Sequence, residues 1–170
     1  RLQDYRNVNE KYDRIVSVGM FEHVGTAHYQ EFFNKVFDLL NDNGVALIHT
    51  IGRLNEPGTT DSWIDKYIFP GGYIPALSET VSRVEKSGLS MTDIQILKFH
   101  YAETLKRWRY NFYENIDKVK EIYDEKFCRM WDFYLSSSQA SFEESTLVVF
   151  QLQLSLSLIH ISEPTRQKPI

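Results

Sequence analysis

The sequence predicts an α/β fold, and three stretches carry that prediction. Arg14-Ile15-Val16-Ser17-Val18 is a short apolar run ended by Gly19, the pattern of a buried strand in a parallel sheet. Within 27–40, Tyr29, Phe32, Phe33, Val36, Phe37 and Leu40 recur at three- and four-residue steps, the signature of an amphipathic helix. The stretch 45–51 is a second apolar run, closed by Gly52. Strand, helix and strand in that order make a right-handed crossover between parallel strands.

Taken in chain order, the first strand is expected over Tyr12–Val18. The helix after it should stop at Asn41-Asp42-Asn43-Gly44, with Gly44 in the left-handed cap position. The stretch 53–75 holds Pro57, Pro70, Pro75, Gly58, Gly71 and Gly72 and reads as irregular throughout. Loops of that length in compact domains are usually lids or binding loops. A short helix over 78–86 has Ser78 as N-cap and Glu79 against its dipole, and Ser87-Gly88 ends it. Alternation over 89–99 suits a third strand. Helices over 102–113 and 116–137 and a last strand within 145–155 complete the pattern.

Composition narrows the class. The chain has 170 residues, 42% apolar and 25% charged, as in one soluble globular domain. A net charge of −4 offers nucleic acid no basic footprint. Cys128 stands alone, which rules out an internal disulfide and suits the reducing cytoplasm. No run approaches the roughly 18 apolar residues of a membrane span, and no signal peptide is present, so contact with lipid should be peripheral. The catalytic unit is expected over 1–155, without its N-terminal half, since a sheet starting at Tyr12 leaves that strand's edge unpaired. The segment from Leu156 to Arg166 resembles a translated sequencing adaptor, with Gln167-Lys168-Pro169 as barcode; 156–170 is therefore expected to be non-native and disordered.

Three residues suggest chemistry. Glu22, in Ser17-Val18-Gly19-Met20-Phe21-Glu22-His23-Val24-Gly25, follows the first strand, and ligands in open α/β sheets bind beyond the carboxyl ends of strands. His49 interrupts the second apolar run near its carboxyl end and needs a partner, either a ligand or a backbone carbonyl. Parallel strands bring both ends to one edge of the sheet. Tyr101, at the end of the third strand, could reach that edge or be a half-buried aromatic. Glu22 and His49 have no third ligand at metal spacing, so no metal is expected. His23 and His28 are weaker candidates. Trp108, Phe112, Tyr123, Phe127, Trp131 and Tyr134, near helical spacing, are expected both to pack on the sheet and to wall an apolar pocket.

Tyr12-Asp13-Arg14-Ile15-Val16-Ser17-Val18-Gly19-Met20-Phe21-Glu22-His23-Val24-Gly25 resembles the cyclopropane-fatty-acyl-phospholipid synthases and the mycolic acid cyclopropane synthases. So do Leu47-Ile48-His49-Thr50-Ile51-Gly52, Trp63-Ile64-Asp65-Lys66-Tyr67-Ile68-Phe69-Pro70-Gly71-Gly72 and Arg129-Met130-Trp131-Asp132-Phe133-Tyr134-Leu135. The resemblance implies the C-terminal half of a Rossmann-like S-adenosylmethionine-dependent methyltransferase fold, a mixed sheet with helices on both faces. It implies methyl transfer to a cis double bond of a phospholipid acyl chain, then loss of a proton to close a cyclopropane ring. Bound bicarbonate would be the base, held by the side chains of Glu22, His49 and Tyr101 and the backbone of Ile51. S-adenosylmethionine would meet Gln3, Asp4 and Tyr5 on its adenine side and the strand end Val18-Gly19.

The glycine-rich cofactor loop of the resembled family would lie upstream of Arg1, so residues 1–155 alone are expected to be inactive. Ser138 stands where better-known synthases carry cysteine, and a hydroxyl is the poorer nucleophile at neutral pH. The expected partner is the phospholipid acyl chain at the membrane surface, with a homodimer of the full-length protein left open. Other readings are a same-fold methyltransferase making methyl-branched fatty acids or methylating a small amine, and a degenerate lipid-binding module.

Overall fold

A computed structural model describes residues 1–157. The elements are β1 (Tyr12–Val18), α1 (Tyr29–Leu39), β2 (Leu40–Arg53), α2 (Ser62–Tyr67), α3 (Leu77–Ser87), β3 (Ser90–Leu97), α4 (Phe99–Glu114), α5 (Ile116–Ile122), α6 (Glu125–Glu144) and β4 (Leu147–Ser155). They build one sheet in the order β1-β2-β4-β3. β1 and β2 are parallel, and β4 runs antiparallel to both β2 and β3. The sheet is mixed, as expected.

Side-chain alternation divides the core between the two faces. Val148, Phe150, Leu152 and Leu154 of β4 join Ala46 and Ile48 of β2 in a cluster with α1 and α3, through Phe32, Phe33, Val36 and Val84. Val149 takes the opposite face, with Ala102, Leu105, Phe112, Cys128, Leu135 and Phe142 of α4 and α6. Cys128 is a buried packing residue there. Along β2, Ile51 packs on this second side. Period-two strands between helical layers thus decide which side chains can meet.

Several local expectations are corrected. Gly44 is not left-handed: α1 passes into β2 at Leu40, and 41–44 belong to the strand, beside an irregularity between Tyr12 and Arg14. Glycine is required there by close approach, because a Cβ would sit 2.8 Å from the Asn41 carbonyl oxygen and 3.1 Å from that of Tyr12. Gly88 does end α3 in the left-handed region, at φ +81°. The N-cap of α3 is Ala76 rather than Ser78. Its N–H donates to the Glu79 carboxylate at 2.9 Å, the half of a capping box that alanine permits.

The stretch 53–75 is not wholly irregular, since Asp61 accepts from the N–H groups of Trp63 and Ile64 and starts α2. One helix over 116–137 becomes two, because Asp124 accepts from Phe127 N–H at 2.7 Å and starts α6. β3 ends at Leu97, so Tyr101 stands in the first turn of α4 and not at a strand end. At the sheet edge, Val16 and Val18 of β1 are 65% and 64% exposed. Of 156–170, only Leu156 and Ser157 lie among the described residues, and Leu156 packs against the larger core cluster. No helix among the described residues is long and apolar enough to cross a membrane.

Candidate active site

The site begins where β1 ends. Val18 is in register with His49, and Gly19 N–H donates to the His49 carbonyl at 3.1 Å. Gly19, at φ +63°, turns the chain into the short helical turn Phe21–His23. Phe21 is fully buried, stacked on Tyr29 at 4.2 Å and tilted against Phe32 and Phe33. That anchor sets the next residue over the end of β2. Glu22 Oε1 accepts from the Ile51 N–H at 2.7 Å, and the Glu22 carbonyl accepts from Tyr73 N–H at 2.9 Å. Glu22 Oε2 is buried with no hydrogen-bond partner in the structure. A buried carboxylate oxygen without a donor is costly, which marks it as a position for a ligand that carries one.

Tyr101 rests against Phe142 at 4.7 Å and meets Trp108 edge-on. Burial pushes its phenol above the ordinary tyrosine value, and the nearby charge of Glu22 adds to that shift. Glu22 and Tyr101 are therefore neighbours in field although 79 positions apart in the chain. His49 is half-buried and by alternation shares the face of Ile51; its imidazole makes no hydrogen bond among the described residues.

Two cavities frame these groups. A cleft of about 430 Å³ is lined by Ile51, Tyr101, Trp63, Phe133, Tyr134 and Ser138, among others. A smaller one of about 160 Å³ holds Gly19, Glu22 and His23. Thr60, Ile64, Phe69 and Ile74 line both, so the carboxylate and the aromatic cleft stand on two sides of one wall. His49 lines neither. The larger volume falls within the roughly 300–1,000 Å³ of small-molecule pockets.

The aromatic helices follow the expectation only in part: Phe112 is buried in the core, Trp131 packs against that core and Tyr134 lines the cleft with Phe133, whereas Trp108 and Tyr123 are exposed. Beside Ser138, the Tyr134 phenol is pushed up by burial and by Tyr101, while a hydrogen bond with Ser138 opposes the shift. His28 pairs with Glu31 at the surface instead of joining the site.

Of the residues expected at the cofactor, Gly19 is brought to Glu22. Gln3, Asp4 and Tyr5 precede β1, and Tyr5 packs on the α1 side. Asp4 pairs with Arg6 at 2.7 Å, which lowers its carboxyl to about 2. Gln3 donates to the Asn7 carbonyl, and Tyr5 packs edge-on to Phe32. The wall residues Thr60, Ile64 and Ile74 were not singled out by sequence. They fall within the stretch 53–75 read as a lid or binding loop, where Asp61-Ser62 before Trp63 and Tyr67, a cap followed by aromatics four apart, also signals a helix.

Buried phenols make alkaline stability a test of this packing. Burial also holds Tyr29 far above the usual tyrosine range. A phenol with a raised native value keeps its proton where the unfolded chain loses it, so stability is full below about pH 10 and falls above it. The urea midpoint is expected to drop through that range while tyrosinate absorbance lags. Full ionisation of all tyrosines near pH 10 with an unchanged midpoint would contradict the burial of Tyr29, Tyr101 and Tyr134.

Comparison with known proteins bears on what the site does. Residues 1–152 match the family model described as mycolic acid cyclopropane synthetase. Cyclopropane-fatty-acyl-phospholipid synthase of Escherichia coli K12 is 36% identical over 154 residues, which cover 91% of this chain and 40% of that protein. Tuberculostearic acid methyltransferase UfaA1 of Mycobacterium tuberculosis is 38% identical over 159 residues, covering 90% of this chain and 37% of that one. Among solved structures, the cyclopropane synthase MmaA2 from Mycobacterium tuberculosis superimposes with a TM-score of 0.84 at 31% identity, covering 91% of this chain and 59% of that one. Mycolic acid cyclopropane synthase CmaA1, complexed with SAH and CTAB, gives 0.82 at 30% identity over 91% of this chain and 59% of that one. The chain thus spans less than half the length of these curated relatives.

Proposed function

The chain belongs to the mycolic acid cyclopropane synthetase family and has the fold of the S-adenosylmethionine-dependent methyltransferases, and from that premise we propose that the protein adds a one-carbon unit to a cis double bond of a phospholipid acyl chain, closing a cyclopropane ring. The observation that carries this reading is Glu22, tied through Oε1 to the Ile51 N–H with Oε2 buried and unpartnered, behind the wall of an aromatic cleft.

S-adenosylmethionine, held at Val18-Gly19 and by the Gln3-Asp4-Tyr5 segment, supplies the methyl group when bound. Trp63, Phe133 and Tyr134 accept the apolar chain and keep out water, which would trap a carbocation. Their π faces and the Glu22 carboxylate favour the positive charge that develops on the chain. The donor set suits bicarbonate as the base. Glu22 Oε2 can accept from its protonated oxygen, and the Tyr101 phenol, which burial keeps protonated, can donate to it. His49, half-buried on the strand face of Ile51 but lining neither cavity, would join the set only by turning its imidazole toward Glu22. Ile51 N–H already serves Glu22 Oε1, so its own share in holding the anion requires Glu22 to yield that bond.

A second reading, methyl transfer that ends in a branched chain, is favoured by the 38% identity to a protein named a methyltransferase and by Ser138 in the cleft wall. Mass spectrometry of lipids tests both. With the protein at the length of its relatives, isotopically labelled methyl donor and a monounsaturated phospholipid, the product is expected to gain one CH₂ and to lack both a double bond and a methyl branch. A branched product would favour the second reading, and unmodified lipid would overturn both.

A further inference from the structure

A second groove opens beside the cleft, between α2 and α6. Its volume is about 580 Å³, and it is lined by Trp63, Tyr67, Phe133, Met130, Lys126 and Arg129, with Asp61 at its rim. Asp61, Trp63 and Phe133 line the cleft as well, so the two spaces adjoin along these residues. Trp63 stands edge-on to Phe133 at 4.8 Å and tilted to Tyr67 at 5.6 Å, while Tyr67 and Phe133 are 48% and 56% exposed.

The other wall is cationic. Lys126 and Arg129 lie three apart on α6 and are exposed, with neither an ion pair nor a hydrogen bond among the described residues. Lys66 adds a third cation, over the Tyr67 ring at 5.1 Å. The rim carboxylate is already engaged, since Asp61 Oδ1 accepts from two backbone N–H groups of α2.

Exposed Tyr67 and Phe133 with a half-buried Trp63, beside long basic side chains, are what sits well at a lipid–water boundary. The rings take the interface, and the aliphatic stems of Lys and Arg carry charge out to the phosphates. The geometry points to this groove as the seat of the phosphodiester headgroup of an anionic phospholipid surface, with the acyl chain crossing over the Trp63–Phe133 ring pair into the cleft. This rests on the acyl-chain reading above and assigns the face by which the protein meets its lipid. This chain's net charge is −4, so its attraction to an anionic bilayer has to be local.

Sedimentation with vesicles tests the assignment in the full-length protein. Binding is expected to be stronger to vesicles containing phosphatidylglycerol than to pure phosphatidylcholine, and to weaken as salt is raised. The double variant Lys126→Gln, Arg129→Gln should bind the anionic vesicles about thirtyfold more weakly, with its thermal midpoint unchanged. The exchange Lys126→Arg, Arg129→Lys should retain binding. Wild-type affinity in the double variant, or equal binding to both vesicle types, would overturn the assignment. Conversion of detergent-dispersed lipid by the wild type reads the proposed reaction separately. Conversion there, with vesicle binding indifferent to the double substitution, would leave the reaction standing and remove the groove.

Discussion

Glu22→Gln is expected to lower ring formation by about a hundred- to a thousandfold, the scale of losing one preorganised electrostatic contact at a reacting centre. The replacement keeps the shape and removes the charge. A glutamine carbonyl can still accept from the Ile51 N–H, now held by Oε1 at 2.7 Å. The other end then becomes an NH₂ group where Oε2 was, a buried donor facing a ligand expected to donate. Two donors opposed across a dry contact repel, and the negative charge that favours a cation on the acyl chain is gone. Affinity for S-adenosylmethionine is expected to change little, because a glycine at position 19 would meet the cofactor through its backbone, which the substitution leaves in place. His49→Gln is expected to act in the same direction. Lipid mass spectrometry beside calorimetric titration of the cofactor separates the effects. Normal product from both variants would sink the assignment of these residues to the anion.

Phe21→Ala should cost about 3–5 kcal/mol of stability, the usual price of deleting a buried aromatic ring. Phe21 is wholly inaccessible and touches Tyr29, Phe32 and Phe33 within ring-centroid distances of 4.2 to 5.3 Å. Its neighbours are held by α1 and the sheet, so they cannot all collapse into the space. Against a typical total of about 5–15 kcal/mol, the loss approaches the point of unfolding. Urea denaturation measures it, and a loss under about 1 kcal/mol would show that the aromatic cluster repacks freely. Phe21 also sets the turn that carries Glu22, so turnover should fall further than the folded fraction does, since small misplacements of reacting groups are costly.

How far this site could be read in advance differs residue by residue. Glu22 was legible because an apolar run ended by glycine marks a strand end, and strand ends in parallel sheets gather ligands. The pairing of β1 with β2 follows from the helix between them, which obliges a crossover. Tyr101 was recognised as a candidate but placed on the wrong element. Leu97 ends the strand, and the short step into α4 leaves no turn signal that sequence would show. Gly44 misled for a related reason, because a glycine needed for close backbone approach reads the same as one needed for a left-handed cap.

Residues close in the chain specified their own elements here, since period, cap and turn are local properties, and they also carried the family's motifs. The contact of Glu22 with Ile51, the field between Glu22 and Tyr101 and the wall shared by two cavities are of another kind. They depend on strand register and on how α6 packs on the sheet and α2 on α6. Those are set by many weak long-range contacts acting together, and no single stretch of sequence encodes them.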